Sequence, residues 1–135
     1  MKNTQMDALF REAQKAAAFA YAPYSNFRVG AALLAEDGTI FSGCNVENRS
    51  FGLTICAERN AVVQAVAQGR RSFTALAIST PDSAGPVGPC GACRQVLSEF
   101  MSPDALIRFA GSGPDQVDTT MGELLPYDSL HDLAP

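Results

Sequence analysis

The sequence predicts an α/β fold: a three-layer α/β/α sandwich around a mixed central sheet of about five strands. Three observations lead there. Segments with apolar residues at helical spacing alternate along the chain with short apolar runs. One of those runs, Phe73–Thr80, is continuous and β-rich, as a strand covered on both faces should be. Two earlier runs are joined by Glu36-Asp37-Gly38, a turn signal that makes them a hairpin. Strands joined through helices should lie parallel, and the hairpin supplies the antiparallel part.

Thr4, followed three residues later by Asp7, resembles a capping box, and Met6, Leu9, Phe10, Ala13, Ala16, Ala17 and Ala20 recur at helical spacing. A first helix is expected over about residues 5–20, broken by Tyr21-Ala22-Pro23-Tyr24-Ser25 because proline disfavours helix in the residue before it. Residues 27–35 and 39–47 are the hairpin strands. Within the second, period-two alternation puts Asn45 and Glu47 on one face and Cys44 and Val46 on the other. If the first pair faces a site, Cys44 faces away and behaves as a small core residue. Residues 48–54 read as loop, 56–68 as a second helix stopped by Gly69, and 73–80 as a strand. A loop rich in proline and glycine covers 81–89, a third helix 90–100 and a fourth strand 105–110. A weak strand at 116–118 and a short helix at 121–125 follow. No repeat or linker is visible, and one domain over residues 1–135 accounts for the chain.

Composition narrows the function. Ten basic residues against fourteen acidic ones give a net charge of −4, without the basic face that a nucleic-acid polymer would require. Arg70-Arg71, the one basic pair, reads as a solvated helix end. The charged fraction of 18% lies below the roughly 25% of ordinary soluble domains. Stretches such as Ala16-Ala17-Ala18 and Ala61-Val62-Val63 are apolar on more than one side, so part of the surface is expected to meet other subunits. No apolar run directs export or membrane insertion, and unpaired cysteines at metal spacing suit a reducing compartment, which places the protein in the cytoplasm.

Three of the four cysteines fall in two short segments, Cys56-Ala57-Glu58-Arg59 and Pro89-Cys90-Gly91-Ala92-Cys93-Arg94. A C-x-x-C pair brings two sulfurs to one ion, and a third thiolate from a second element leaves tetrahedral zinc one open position for water. Zinc lowers the pKa of such a water toward neutrality, and a nearby carboxylate then carries its proton. Glu58 is that carboxylate, because serving as a ligand would close the site. Both segments open helices, where the positive dipole end favours thiolate over thiol. Cys90 and Cys93, three apart, share a face of the first turn. The single histidine, His131, lies in the terminal segment, which leaves no His-rich zinc site.

Cys56-Ala57-Glu58 followed by Pro89-Cys90-Gly91-Ala92-Cys93 resembles the zinc-dependent cytidine deaminase family in its small form with three cysteine ligands. The likeness extends through Tyr24-Ser25-Asn26-Phe27-Arg28-Val29-Gly30-Ala31-Ala32 and Asn45-Val46-Glu47-Asn48 to Glu123-Leu124-Leu125-Pro126. It implies one Zn²⁺ per subunit on Cys56, Cys90 and Cys93. It implies that Glu58 deprotonates the zinc water, protonates N3 of the base and assists departure of ammonia. It places Asn45 and Glu47 on the ribose hydroxyls, Phe27 near the pyrimidine, and the Ala57 backbone with the loop from Asn48 to Phe51 in the pocket wall. The expected activity is hydrolytic deamination of free cytidine and 2′-deoxycytidine in pyrimidine salvage. The expected assembly is a homotetramer that shares its sites across interfaces.

Three thiolates on Zn²⁺ leave a net −1, which weakens the metal as a Lewis acid. Arg59 and Arg94, next to the ligands in sequence, are expected to donate hydrogen bonds to the sulfurs, as similar arginines in the family are thought to do. Relatives carry an aromatic residue a few positions beyond the Leu-Leu-Pro step that reaches a neighbouring pocket, whereas here Tyr127 follows immediately. The rival readings are a deaminase of a modified cytosine nucleoside, a structural zinc module and a dithiol redox protein.

Overall fold

Hydrophobic alternation in the strands and apolar stripes on the helices assemble around one sheet. The computed structural model describes residues 3–133. The elements in order are α1 (Asn3–Ala17), β1 (Gly30–Ala35), β2 (Ile40–Cys44), α2 (Ala57–Ala67), β3 (Phe73–Thr80), α3 (Gly91–Ser98), β4 (Met101–Gly111), β5 (Gln116–Thr120) and α4 (Met121–Leu124), with short 3₁₀ turns at Phe51–Leu53 and His131–Leu133. The sheet order is β2-β1-β3-β4-β5. β1 runs antiparallel to both β2 and β3, β3 is parallel to β4, and β4 is antiparallel to β5. Each longer crossover obeys the expected rule: α3 joins the parallel neighbours β3 and β4. α2 joins β2 and β3, which are parallel to each other with β1 between them.

Strand alternation divides the core in two. Ala32, Ala75 and Ala77 face Met6, Leu9 and Ala13 of α1. On the opposite face Ala31, Leu33, Leu76, Ile78 and Ile107 pack with Ala57, Ala61, Val62 and Ala65 of α2, Leu97 of α3 and Met121 of α4. Burying side chains such as Leu33, Leu76 and Ile107 contributes about 1.5–3 kcal/mol each. The result is the expected three-layer α/β/α arrangement, with α1 as one outer layer. Arg108 of β4, 4% exposed, anchors that layer: its Nη1 donates to Asp7 of α1 at 2.5 Å and its Nε to Asp118 of β5 at 2.7 Å. A buried guanidinium requires such partners.

One close approach places the future site. A Cβ built on Gly43 of β2 would meet the Ala57 carbonyl and the Ala61 nitrogen at 2.6 Å, so only glycine lets the first turn of α2 lie against the sheet. Asn60 and Gln64 of α2 then donate to the Cys44 and Ser42 carbonyls, both at 2.8 Å. Those bonds also occupy acceptors on the edge strand β2.

Several boundaries differ from the sequence expectation. α1 already includes Asn3 and Thr4, so Thr4 is not its cap, and it ends at Ala17 rather than 20. The chain leaves through tightened turns at Ala18 and Phe19 because Tyr21 is drawn into a bridge with Val46, donating to Asn45 O at 3.0 Å. β1 starts at Gly30 and β2 stops at Cys44: beyond them only Asn45 N to Val29 O, at 3.2 Å, continues the ladder, and side chains take the other flanking groups. Asn45 Oδ1 accepts from Val29 N and Asn45 Nδ2 donates to Phe27 O, each at 2.9 Å, and Arg28 N donates to Asp82 at 2.8 Å. β4 starts at Met101, earlier than expected, because Met101 pairs with Phe73 before a register shift that accommodates Pro103.

Candidate metal centre and active site

Two helix starts meet at the C-terminal side of the sheet. Cys56 is the N-cap of α2 and Cys90 that of α3, both with extended backbone, and the Cys90 sulfur accepts from Cys93 N at 3.4 Å. Cys93, one turn into α3, is fully buried. The three Sγ atoms lie within 4.8 Å of one another. Tetrahedral zinc, with Zn–S bonds of about 2.3 Å, holds sulfurs about 3.8 Å apart, so the donor set fits the ion with small adjustments. Among the described residues no fourth His, Cys, Asp or Glu joins the cluster. Cys44 lies outside it, half-buried rather than in the core as expected, because β2 ends there.

Glu58, 5% exposed, lines the same cavity as Cys56 and Cys90. Burial pushes its carboxyl up to about 7, and the nearby Cys56 adds to the shift. Cys56 is held at about 5, chiefly by the hydrogen bond from the Cys93 thiol and further by Arg59. Cys93 is correspondingly raised: it keeps the proton the pair shares, so metal binding there must release it.

The raised carboxyl has a stability consequence. Folding favours protonated Glu58, a contribution fully present below its ordinary 4.5 and lost as the pH rises through about 7. In metal-free protein Glu58→Gln should therefore be more stable than wild type at pH 8 by up to about 3 kcal/mol. Chemical denaturation with chelator and reductant present should show that advantage shrinking as the pH falls to about 5; a constant difference counts against it.

The two arginines separate. Arg59 Nη2 donates to Cys56 Sγ at 3.2 Å, and the sulfurs Cys56 and Cys93 raise its pKa further. Arg94 does not bond a sulfur, which corrects the expectation for it. Its Nε donates to Pro89 O at 2.8 Å and its Nη1 to Leu124 O at 3.0 Å, because α4 offers unpaired terminal carbonyls within its reach. Arg94 thus ties the cysteine loop to α4. Arg59→Gln should lower turnover about tenfold or more through the lost charge-assisted bond, with zinc content near one per chain. Equal loss of metal and rate on one preparation would reject that role.

The remaining expected residues divide as well. The cavity, about 190 Å³, is lined by Val29, Asn45, Thr54, Ala57, Ile78, Val87 and Gly88 together with Cys56, Glu58 and Cys90. Across Thr54 lies a second chamber of about 340 Å³ lined by Tyr24, Ser25, Glu47 and Phe51. Asn45 and Glu47 therefore line adjoining chambers. Glu47 Oε1 accepts from Tyr24 N at 3.0 Å and Ser25 N at 3.1 Å, Oε2 accepts from the Ser25 hydroxyl, and these bonds hold the carboxylate below its usual range. Phe51 stacks at a tilt on Tyr24, with centroids 5.9 Å apart. Phe27, half-buried, is not among the residues of either wall. Asn48 is also outside both, because its Oδ1 closes a turn with Ser50 N at 2.9 Å. Val29, Thr54, Ile78, Val87 and Gly88 are wall residues that sequence reading missed; nearness in the chain to Phe27, Cys56 and Cys90 signalled all of them but Ile78. His131 is exposed and lines a separate cavity with Tyr127, which is fully exposed.

A mixed sheet that brings three cysteine sulfurs and one buried carboxyl together at the starts of two helices matches a zinc-dependent hydrolase of the α/β/α class. The comparisons specify it further. The family model described as the cytidine and deoxycytidylate deaminase zinc-binding region matches residues 3–108. A cytidine deaminase of Sporosarcina psychrophila is 51% identical over 90% of this chain and 88% of its own. One from Halalkalibacterium halodurans is 48% identical over 87% and 89%. The crystal structure of cytidine deaminase from Burkholderia pseudomallei superimposes with a TM-score of 0.86 at 46% identity, covering 94% of this chain and 98% of that one. The chain belongs to the cytidine and deoxycytidylate deaminase family, whose members bind zinc.

Proposed function

We propose that this protein hydrolyses the exocyclic C4–N4 bond of free cytidine and 2′-deoxycytidine, releasing ammonia and the uridines. The observation that carries this reading is the cluster of three sulfurs within 4.8 Å of one another, without a fourth protein ligand among the described residues, beside a buried glutamic acid. Cys56, Cys90 and Cys93 would hold the zinc, which would supply the Lewis acidity that makes water a nucleophile near neutral pH.

Glu58 handles the protons. Its carboxylate accepts the proton of the attacking water and delivers it to N3 of the ring. The same carboxylate then takes the remaining proton from the C4 hydroxyl and passes it to N4, so that the C4–N4 bond breaks, the C4 carbonyl forms and ammonia leaves. Arg59 keeps charge on the Cys56 sulfur in check through its hydrogen bond. Asn45 and Glu47 hold the sugar hydroxyls. Asn45 retains one N–H and one lone pair after binding Phe27 O and Val29 N, and the bonds from Tyr24 and Ser25 fix the Glu47 carboxylate in place. The apolar wall of Val29, Ile78 and Val87 suits a planar base. The two adjoining chambers together fall within the roughly 300–1,000 Å³ of small-molecule sites.

The reading extends to a cytoplasmic homotetramer acting on nucleosides rather than on polymer. Large exposed side chains, among them Phe51 at 74% and Tyr127 at 100%, support association of copies, which light scattering tests. No helix of the described residues is long and apolar enough to cross a membrane. The decisive experiment follows cytidine loss by ultraviolet absorbance alongside metal analysis of the same purified sample. Turnover with one zinc per chain supports the proposal, and zinc without turnover rejects it.

A further inference from the structure

We propose that the Arg28–Asp82 ion pair is a clip that joins the two walls of the substrate cavity, which makes both residues positioning residues for nucleoside binding. The inference rests on the deaminase reading of the site. Neither side chain lines the cavity; both lie on a neighbouring surface cleft with Tyr21, Pro23 and Asn26.

One wall is carried by residues 27–29. Their backbone is held by side chains: Phe27 N donates to Ser25 Oγ at 3.0 Å, Asn45 takes Phe27 O and Val29 N, and Asp82 takes Arg28 N. Val29 and Asn45 both line the cavity. The opposite wall, Val87, Gly88 and Cys90, hangs on the loop that follows β3. The base of that loop is fixed where Ser112 N and Gly113 N donate to Ser83 O and Ala84 O, at 2.8 and 3.0 Å.

Among the described residues, every hydrogen bond between 27–29 and this loop runs through Asp82. Arg28 N and Nη2 reach its two oxygens at 2.8 Å, and Nε reaches Oδ2 at 3.0 Å. The sequence explains why a side chain is needed there. Gly30 pairs with Ser79, so the register carried two residues further sets Arg28 opposite Pro81, which has no N–H to continue the ladder. With the ladder ended at Pro81, the Asp82 carboxylate accepts Arg28 N where a strand carbonyl would have, and adds a two-pronged ion pair.

Cytidine is uncharged at neutral pH, so salt can alter its binding only through charges of the protein. An exposed pair is screened by salt. The test measures cytidine turnover and zinc content for wild type, Arg28→Gln and Asp82→Asn at low and high salt. Expected are KM values raised about threefold to fivefold in both variants, the scale of an exposed ion pair. Turnover number and zinc content should stay near wild type. Wild-type KM should also rise with salt, a dependence that both variants lose. Unchanged KM in both variants overturns the clip, as does a joint fall of turnover number and zinc content, which marks a merely structural tie. Wild-type protein without cytidine turnover overturns the functional reading and the clip with it, whereas active wild type with indifferent variants overturns the clip alone.

Discussion

Glu58→Gln should retain one zinc per chain and lose turnover by about a thousandfold or more. A positioned acid–base group contributes about 10²–10⁴, and the upper part of that range applies here because one carboxyl serves both proton transfers. Glutamine keeps the size and polarity of the side chain, so the sulfur cluster, which Glu58 does not join, should hold its metal. The measurement pairs initial rates of cytidine loss with metal analysis. A variant that keeps its rate would make the zinc structural and leave the buried carboxyl without a catalytic part.

Removing a ligand should act on metal and rate together. In Cys90→Ala the cluster falls from three sulfurs to two, and neither helix start offers a replacement among the described residues. Loss of an outer partner alone costs roughly 10–100-fold in metal affinity or activity. Loss of a ligand should exceed that, leaving little zinc after dialysis and a rate below a hundredth of wild type. Cys90 is exposed, so the substitution disturbs little packing. Cys44→Ala is the internal control: that sulfur lies outside the cluster, and both zinc and rate should be unchanged. Zinc retained in Cys90→Ala, or lost in Cys44→Ala, would reassign the ligands.

Much of this molecule is written in short-range patterns. The continuous run at Phe73–Thr80 is β3 to the residue, and Gly69 stops α2 with a positive φ of 89°. Cys56 and Cys90 each sit one residue before a helix, since spacing within one turn fixes geometry within that turn. Errors gather where backbone groups find partners far away in sequence. Phe27 and Val29 look like strand because they are apolar, yet the side chains of Asn45 and Asp82 take the Phe27 carbonyl and the Arg28 and Val29 amides. Strand parity alone would put Asn45 and Glu47 on a common face. β2 ends at Cys44, however, and the two side chains line adjoining chambers on either side of Thr54.

The sequence by itself determined the alternation of helices and strands, the thiol spacing and the family, because each depends on residue type at fixed local intervals. Only the tertiary structure decided that Arg59 reaches a sulfur while Arg94 turns to Pro89 and Leu124. It also decided that Phe27 stays out of the cavity wall and that Asp82 fastens the two sides of the pocket. These outcomes depend on which carbonyls, amides and charges the folded loops bring within hydrogen-bond reach, and a guanidinium or carboxylate at a given position is chemically able to serve any of them.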